Sequence, residues 1–422
     1  MLKLLIIADD FTGALDTGVQ FAAEGIETRV ITNTQVDFSG IAPEAEVLVL
    51  DAETRHLSGE AAYQVVYETA KRAWGLGIPY IYKKTDSALR GNVGSELKAV
   101  LDATGSRSLH FFPAFPRMHR TTEDGIHYIN GIPVHESVFG RDPFDPVKSS
   151  SVKELISETV PVTCVGNMEG WKPQPGIMIY DAGKDEELRE KGEFLKAQGE
   201  LGVTAGCAGF ASILPKLLGL EGRKSKEILT GTRFFMVCGS VNPITRVQVE
   251  HGERCGFYRI RMTPAQKLDT DYYKTGMGRH LLEKWCGIAR KHPWCILDTN
   301  DLEDTDKTME YARTCGLSTE EVRVRISTTL GYILTEMIGM GLEGTLMIVG
   351  GDCLIGFIRH VGAQVIVPVY EAAPGAVVFR ICVGEKWFNV ISKSGGFGEA
   401  DLLETLAGSM AGIREEIYAG QL

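Results

Sequence analysis

Short apolar runs alternate with segments of helical spacing almost from end to end of the chain. Lys3 to Ala8 reads as a buried strand, and Phe11 to Ala23 as the helix that follows it. Thr28 to Thr32 and Val47 to Leu50 are further short apolar runs. Between Gly59 and Trp74 the positions Ala62, Val65, Val66, Ala70 and Trp74 share one helical face. Tyr80 to Lys83 and Ser108 to Phe112 predict strands, with a helix from Val93 to Leu101 between them. Strand and helix in turn predict βαβ units and a mainly parallel sheet.

The pattern breaks from Arg120 to Ser149, where Asn130-Gly131 between two β-like runs predicts a hairpin. Alternation resumes with Val160 to Val165, Gly176 to Tyr180, a charged helix from Lys184 to Gln198, and Val203 to Ala208. The polar segment Gly219 to Lys226 reads as a linker. A second series then opens at Phe234 to Cys238 and includes Trp294 to Leu297, a long helix near Thr319 to Gly339, and Thr345 to Val349. We therefore expect two α/β domains, residues 1–225 and 226–422, each with a mainly parallel sheet flanked by helices.

Composition narrows the classes. The 422 residues are 44% hydrophobic and 23% charged, ordinary for a globular chain with a real core. A net charge of −11 with no long basic run argues against nucleic acid as a partner. The first apolar run is stopped by Asp9 and Asp10, too early for a secretory segment, and no stretch suits a membrane span. Nine cysteines, an odd number without a CxxC pair, form neither a disulfide framework nor a zinc-ligand spacing. A reducing cytoplasm is the expected compartment.

Candidate chemistry lies where strands end. Asp9 and Asp10 fall between the first strand and first helix, where open α/β sheets bind ligands. One of them could simply cap the helix, but a cap needs only one acid. Lys83-Lys84-Thr85-Asp86-Ser87-Ala88-Leu89-Arg90-Gly91-Asn92 again follows a strand and precedes a helix. Its cations suit a carboxylate and its Asp and Asn suit hydroxyls, so an anionic polyol is the fitting ligand; a solvated loop is the plainer alternative. Arg120, His135 and Arg141 sit in or beside Pro-bounded loops, where they either reach a carboxylate or pack the hairpin. His127 and His135 lack companions at metal-ligand spacing and are expected to be structural.

In the second half, Cys238-Gly239-Ser240 ends a strand, with Ser240 placed to cap a helix begun by Pro243. Val349-Gly350-Gly351-Asp352 repeats the arrangement, and Lys393-Ser394-Gly395-Gly396-Phe397-Gly398 adds a glycine-rich loop led by a lysine. Glycine lets backbone N–H groups approach a phosphate, so these turns predict a nucleotide. No Walker A or GxGxxG sequence occurs, which removes the dinucleotide-dependent dehydrogenases.

These segments, together with Pro113 to Pro116, Arg141-Asp142-Pro143, Thr245, Gln248 and Pro374-Gly375, resemble the four-carbon acid sugar kinases, in the family's order over nearly the whole chain. The resemblance implies an N-terminal domain that binds the acid, a C-terminal domain that binds ATP, and transfer in the cleft between them. It implies ATP contacts at Ser240, Gly350, Gly351, Asp352, Cys353 and Gly395, and we extend these to Lys393, Ser394 and Gly396. Asp10 and Asp86 are the candidates for orienting and deprotonating the acceptor, which the sequence does not separate. Asp9, Arg55, Lys84, Arg90 and Asn92 are the expected substrate contacts, with Arg90 on the carboxylate, helped by Lys84 or Arg55. Mg²⁺ is expected on the phosphates, with Asp352 as its protein ligand. Ala88, Asn242 and Cys353 depart from the family's usual residues. A non-catalytic sensor of the same fold is the alternative, and a homo-oligomer stays open.

Overall fold

The computed structural model describes residues 2–142, 145–156, 160–223, 232–302, 305–393 and 395–419. Its contacts divide the chain into two units, Met1–Ser225 and Lys226–Leu422. Ser394, Pro143 and the end of the expected linker, 224–226, lie outside the described residues.

In the first unit, β1 (Leu4–Ala8), β2 (Thr28–Ile31), β3 (Val47–Asp51), β4 (Tyr80–Lys84) and β5 (Ser108–Phe112) come first, with helices Phe11–Ala22, Gly59–Gly75 and Val93–Thr104 among them. A small antiparallel sheet of β6 (Arg120–Glu123), β7 (Ile126–Ile129) and β8 (Ile132–Pro133) interrupts the series. It resumes with β9 (Val162–Val165), β10 (Gly176–Tyr180) and β11 (Val203–Gly206). The main strands lie in the order β2-β3-β1-β4-β11-β5-β10-β9, each parallel to its neighbour. β1, β3, β5 and β10 are buried at every position, as parallel strands covered on both faces must be. The Asn130-Gly131 turn joins β7 to β8 with both residues at positive φ, 52° and 77°, the twist that a two-residue hairpin turn requires. Asp10 and Ser58 cap their helices by accepting the N–H groups of Gly13 and Ala61.

The second unit contains β12 (Phe234–Cys238), β13 (Tyr258–Arg261), β14 (Trp294–Asp298), β15 (Thr345–Val349), β16 (Val365–Ala373), β17 (Ala376–Val383) and β18 (Lys386–Lys393). Their order is β13-β14-β12-β15-β18-β17-β16. Pairing is parallel as far as β18 and antiparallel from β18 through β17 to β16. The helix Thr319–Gly339 starts at a capping box of Ser318 and Glu321. It packs so closely on the helix Gly351–Val361 that a Cβ on Gly331 would lie 2.6 Å from the Gly356 carbonyl. Among the described residues no helix is long and apolar enough to cross a membrane.

Both units begin with the same wiring. The first strand is central, the second and third lie to one side of it, and the fourth lies to the other: β2-β3-β1-β4 and β13-β14-β12-β15. The order in which successive strands are laid down therefore reverses between β1 and β4, and again between β12 and β15. The carboxyl ends of those strand pairs are the crevices in which such sheets hold ligands.

Candidate active site

At the first of these crevices the chain gathers charge. Asp9 and Asp10 leave β1, Asp51 ends β3 with Arg55 close behind, and Lys84, Thr85 and Asp86 leave β4. Buried Arg55 ties them together, with Nε and Nη2 donating to Asp9 Oδ2 at 2.9 and 2.7 Å and Nη1 donating to Asp10 Oδ2 at 2.6 Å. Its Nη2 also lies 3.5 Å from Asp86 Oδ1. Burial raises the pKa of Asp9, but the charges of Arg55, Lys84 and Lys83 outweigh it and hold the carboxyl below its ordinary range. Asp51 goes the other way. Burial, then the charges of Glu53 and Asp10, push it well above the carboxylate range.

Asp86 anchors its own loop. Its Oδ2 accepts the backbone N–H groups of Ala88 and Arg90 at 3.2 Å each and Arg90 Nε at 2.9 Å, while Oδ1 accepts Arg90 Nη2 at 3.1 Å. Burial alone raises its pKa; Arg55, Arg90 and Lys84 reverse that and keep it ionised far below the usual range. The loop carries backbone strain, with Leu89 at φ 65° and, in the neighbouring loop, Glu53 at φ 46°, conformations that non-glycine residues rarely adopt. Asn92 donates to the carbonyls of Thr54 and Leu57 at 3.0 and 2.9 Å, so it fixes the Arg55 loop. Buried Lys83 pairs with Glu96 at 2.9 Å. Buried Lys84 donates to the Thr85 carbonyl at 2.7 Å and makes no ion pair among the described residues. A Cβ on Gly13 would lie 2.6 Å from Asp10 Oδ1 and 2.8 Å from Lys84 Nζ, so glycine keeps that space open.

His127 is structural, as its spacing suggests. Its rings bonds run to Thr122 Oγ1 at 3.0 Å and the Ser87 carbonyl at 2.9 Å, joining the β6–β7 hairpin to the Asp86 loop. Burial pushes its pKa down to about 4, so it stays neutral.

The second crevice gathers backbone. Gly239 and Ser240 follow β12, Gly350 and Gly351 follow β15, and Gly395 follows Lys393 at the end of β18. Gly350 has φ 109°, open to glycine alone in practice, and a Cβ there would lie 3.8 Å from the Ser240 nitrogen. A Cβ on Gly395 would lie 2.3 Å from Ser240 Oγ and 3.2 Å from Asn242 Cβ. Lys393 Nζ is buried and donates to Thr245 Oγ1 at 3.2 Å and the Gly395 carbonyl at 3.1 Å. Burial, slightly offset by Cys238, pushes this lysine down to about 8. Gly396 lies beside Asn242, its missing Cβ 3.5 Å from Nδ2.

One expectation, the Ser240 cap, changes. The helix Pro243–Arg254 is capped by Asn242, whose Oδ1 accepts Ile244 N–H at 3.0 Å, and not by Ser240. Pro243 at the first helical position makes the residue before it the cap. Arg90 and Arg55 already hold aspartates, and Asn92 holds backbone. Asp352 is half exposed and ion-paired with Arg323 at 3.1 Å. Cys353 is buried with its thiol pushed up to about 12 by burial and the Asp352 charge, and only glycine at 239 leaves its sulfur room. Two roles went unread. Thr245 Oγ1 donates to the Gly395 carbonyl at 2.8 Å, and Gln248 Nε2 donates to the carbonyls of Phe397, Gly398 and Glu399 at 2.9–3.1 Å. Buried polar residues three apart on one helix face were the available signal. Asp51, an acid closing an apolar run just as Asp9 does, was another.

The comparisons with known proteins agree with this division. Residues 4–214 match the sugar-binding N-terminal domain model and residues 235–403 the nucleotide-binding C-terminal domain model. The chain is 29% identical to a D-threonate kinase of Salmonella typhimurium, covering 99% of this chain and 100% of the relative. It is 27% identical to a D-erythronate kinase of Heliobacterium modesticaldum, covering 95% of each. A 3-oxo-tetronate kinase of Escherichia coli is 27% identical over 64% of this chain and 72% of its own. Among solved structures, a Salmonella typhimurium protein shares the fold with a TM-score of 0.79 at 19% identity, over 96% of this chain and 98% of that one. With both of its domains matched in order, the chain belongs to the four-carbon acid sugar kinase family.

Proposed function

We propose that this protein is an ATP-dependent kinase that phosphorylates a hydroxyl of a four-carbon sugar acid, of the threonate, erythronate or 3-oxo-tetronate type. The observation that carries the reading is the chemistry of the two switch points. One is lined by ionised side chains suited to a hydroxy acid; the other by glycine turns and a buried lysine suited to phosphates. Phosphoryl transfer asks a protein mainly to position its reactants and neutralise charge, and these are the groups that do so.

Asp10 is the acceptor-orienting base in this proposal. Its side chain is 25% exposed against 10% for Asp86, and among the described residues its hydrogen-bond partners are Arg55 and the Gly13 N–H. Asp86, saturated by two arginines and two N–H groups, keeps the loop in shape and supplies negative charge. Arg55 orients both Asp9 and Asp10 and holds Asp9 ionised. On the other unit, the turns at Ser240, Gly350–Gly351 and Gly395–Gly396 would cradle the phosphates, with Lys393 charge-balancing them; the cradle fits because a Cβ at Gly395 would fill it. Mg²⁺, when bound, would offset phosphate charge. Asp352, the acid in the first turn of its helix, would exchange its Arg323 pair for an ion that keeps its waters and phosphate ligands.

A coupled ADP-release assay over threonates, erythronates and their 3-oxo forms with Mg²⁺ tests the reading. Acid-dependent turnover on at least one is expected. Tight binding of acid and nucleotide without turnover would instead identify a sensor.

A further inference from the structure

The sequence points to Arg90 as the grip on the substrate carboxylate, yet in the structure that guanidinium is spent on Asp86, and Arg55 on Asp9 and Asp10. A buried cation that lacks an acid is costly unless a ligand supplies one. Among the described residues around this crevice, one largely buried guanidinium is in that condition.

Arg120 opens β6 and forms no ion pair among the described residues. Its Nε is buried without any hydrogen-bond partner, and its Nη1 makes a single long contact, 3.4 Å, with the Met118 carbonyl. The position of its backbone is firm. Phe115 N–H donates to the Arg120 carbonyl at 2.7 Å, and Arg120 N–H returns the bond to Phe115 at 3.2 Å. The side chain also shares a ring with Arg90: the guanidinium carbons of Arg120 and Arg90 lie 5.8 and 5.2 Å from the Phe139 centroid. Through His127 the hairpin carrying Arg120 is bonded to Ser87, inside the loop that Asp86 organises. Burial lowers the pKa of Arg120, and the charges of Asp86 and Cys207 only partly restore it, with Arg90 opposing them.

We propose that Arg120 is the residue that recognises the carboxylate of the sugar acid, through its uncompensated guanidinium, and so sets the preference for acids over neutral polyols. The proposal rests on the kinase reading above. A planar guanidinium offers two parallel N–H bonds to a carboxylate, and the ligand would relieve both the orphaned donor and the uncompensated charge. Phe139 would hold the guanidinium plane. Asp86 and Arg90 then form the scaffold beside it.

The test compares the preferred C4 acid with its primary amide, which keeps every hydroxyl but loses the charge. Wild-type enzyme should favour the acid by about 10²-fold or more in kcat/KM, the scale of a lost charge-assisted pair. In Arg120→Ala that preference should collapse towards parity, mostly through KM, with ATP binding by calorimetry unchanged. Arg120→Lys should recover part of the preference, and added guanidinium ion should partly rescue Arg120→Ala on the acid but not on the amide. A merely structural role would lower both substrates together and show no selective rescue. Retention of the full acid preference in a folded Arg120→Ala enzyme overturns the proposal. Wild-type protein inactive on every acid would overturn the kinase reading instead, so the two failures are distinguishable.

Discussion

The two units begin with the same strand order and, in the reading proposed above, use it for opposite purposes. At the β1/β4 crevice the proposal builds recognition from side chains: Asp9, Asp10, Asp86, Arg55 and Arg90 form one network of ion pairs. At the β12/β15 crevice the proposal builds it from missing side chains, with Gly350 and Gly395 leaving the space and Lys393 as the principal charge. The contrast follows from the ligands the two would serve. A hydroxy acid must be told apart by the directions of its hydroxyls, which only placed side chains can do. A polyphosphate presents many equivalent oxygens, which repeated N–H groups satisfy without regard to sequence.

That contrast can be broken at either end. The largest effect is expected from Asp10→Asn, which should lose about 10²–10⁴-fold in kcat while leaving ADP binding intact; a variant turning over normally removes Asp10 as the base. Asp86→Asn should act on the fold before the chemistry. Removing one member of a buried charge network costs about 3–5 kcal/mol, so a lower urea midpoint should accompany any loss of rate. An Asp86→Asn protein with unchanged stability and abolished turnover would exchange the roles of the two acids. Gly395→Val should raise the KM for ATP about tenfold or more by sterics, with binding of the acid alone untouched by calorimetry.

Smaller effects sharpen the picture. Because Lys393 is depressed to about 8 in the free protein, a bound phosphate should raise its pKa, so binding above pH 8 takes up a proton. ADP affinity should therefore fall as pH rises through about 8, by at most about tenfold per unit. Calorimetry in buffers of differing ionisation enthalpy should find that uptake, and Lys393→Met should abolish it. Thr245→Val removes one bond to the Gly395 carbonyl and should weaken ADP binding by about fivefold, near the net worth of a single hydrogen bond.

Much of the architecture was legible because buried parallel strands are unbroken apolar runs. Leu4–Ala8, Phe234–Cys238 and Thr345–Val349 announce themselves in this way. The antiparallel strands Val365–Ala373 and Lys386–Lys393 did not, since partly exposed strands mix polar residues into the pattern. For the sites, strand-end position marked the right segments but not the partners of each group. Arg90 reads as free in a linear string; only the fold brings Asp86 back against it through the strained turn at Leu89. Arg120 has the opposite history. Its neighbours along the chain say nothing of the isolation of its Nε, which depends on the hairpin, on Phe115 and on Phe139.

The bonds that Gln248, Thr245 and Lys393 make to the 395–399 loop have a kinetic meaning. They all run to carbonyls, so the loop is shaped by the protein's own donors before any ligand arrives. Conformational entropy that a flexible phosphate loop would surrender on each encounter is here surrendered once, during folding. Nucleotide association at this turn should then proceed in a single phase, without a slow loop-ordering step.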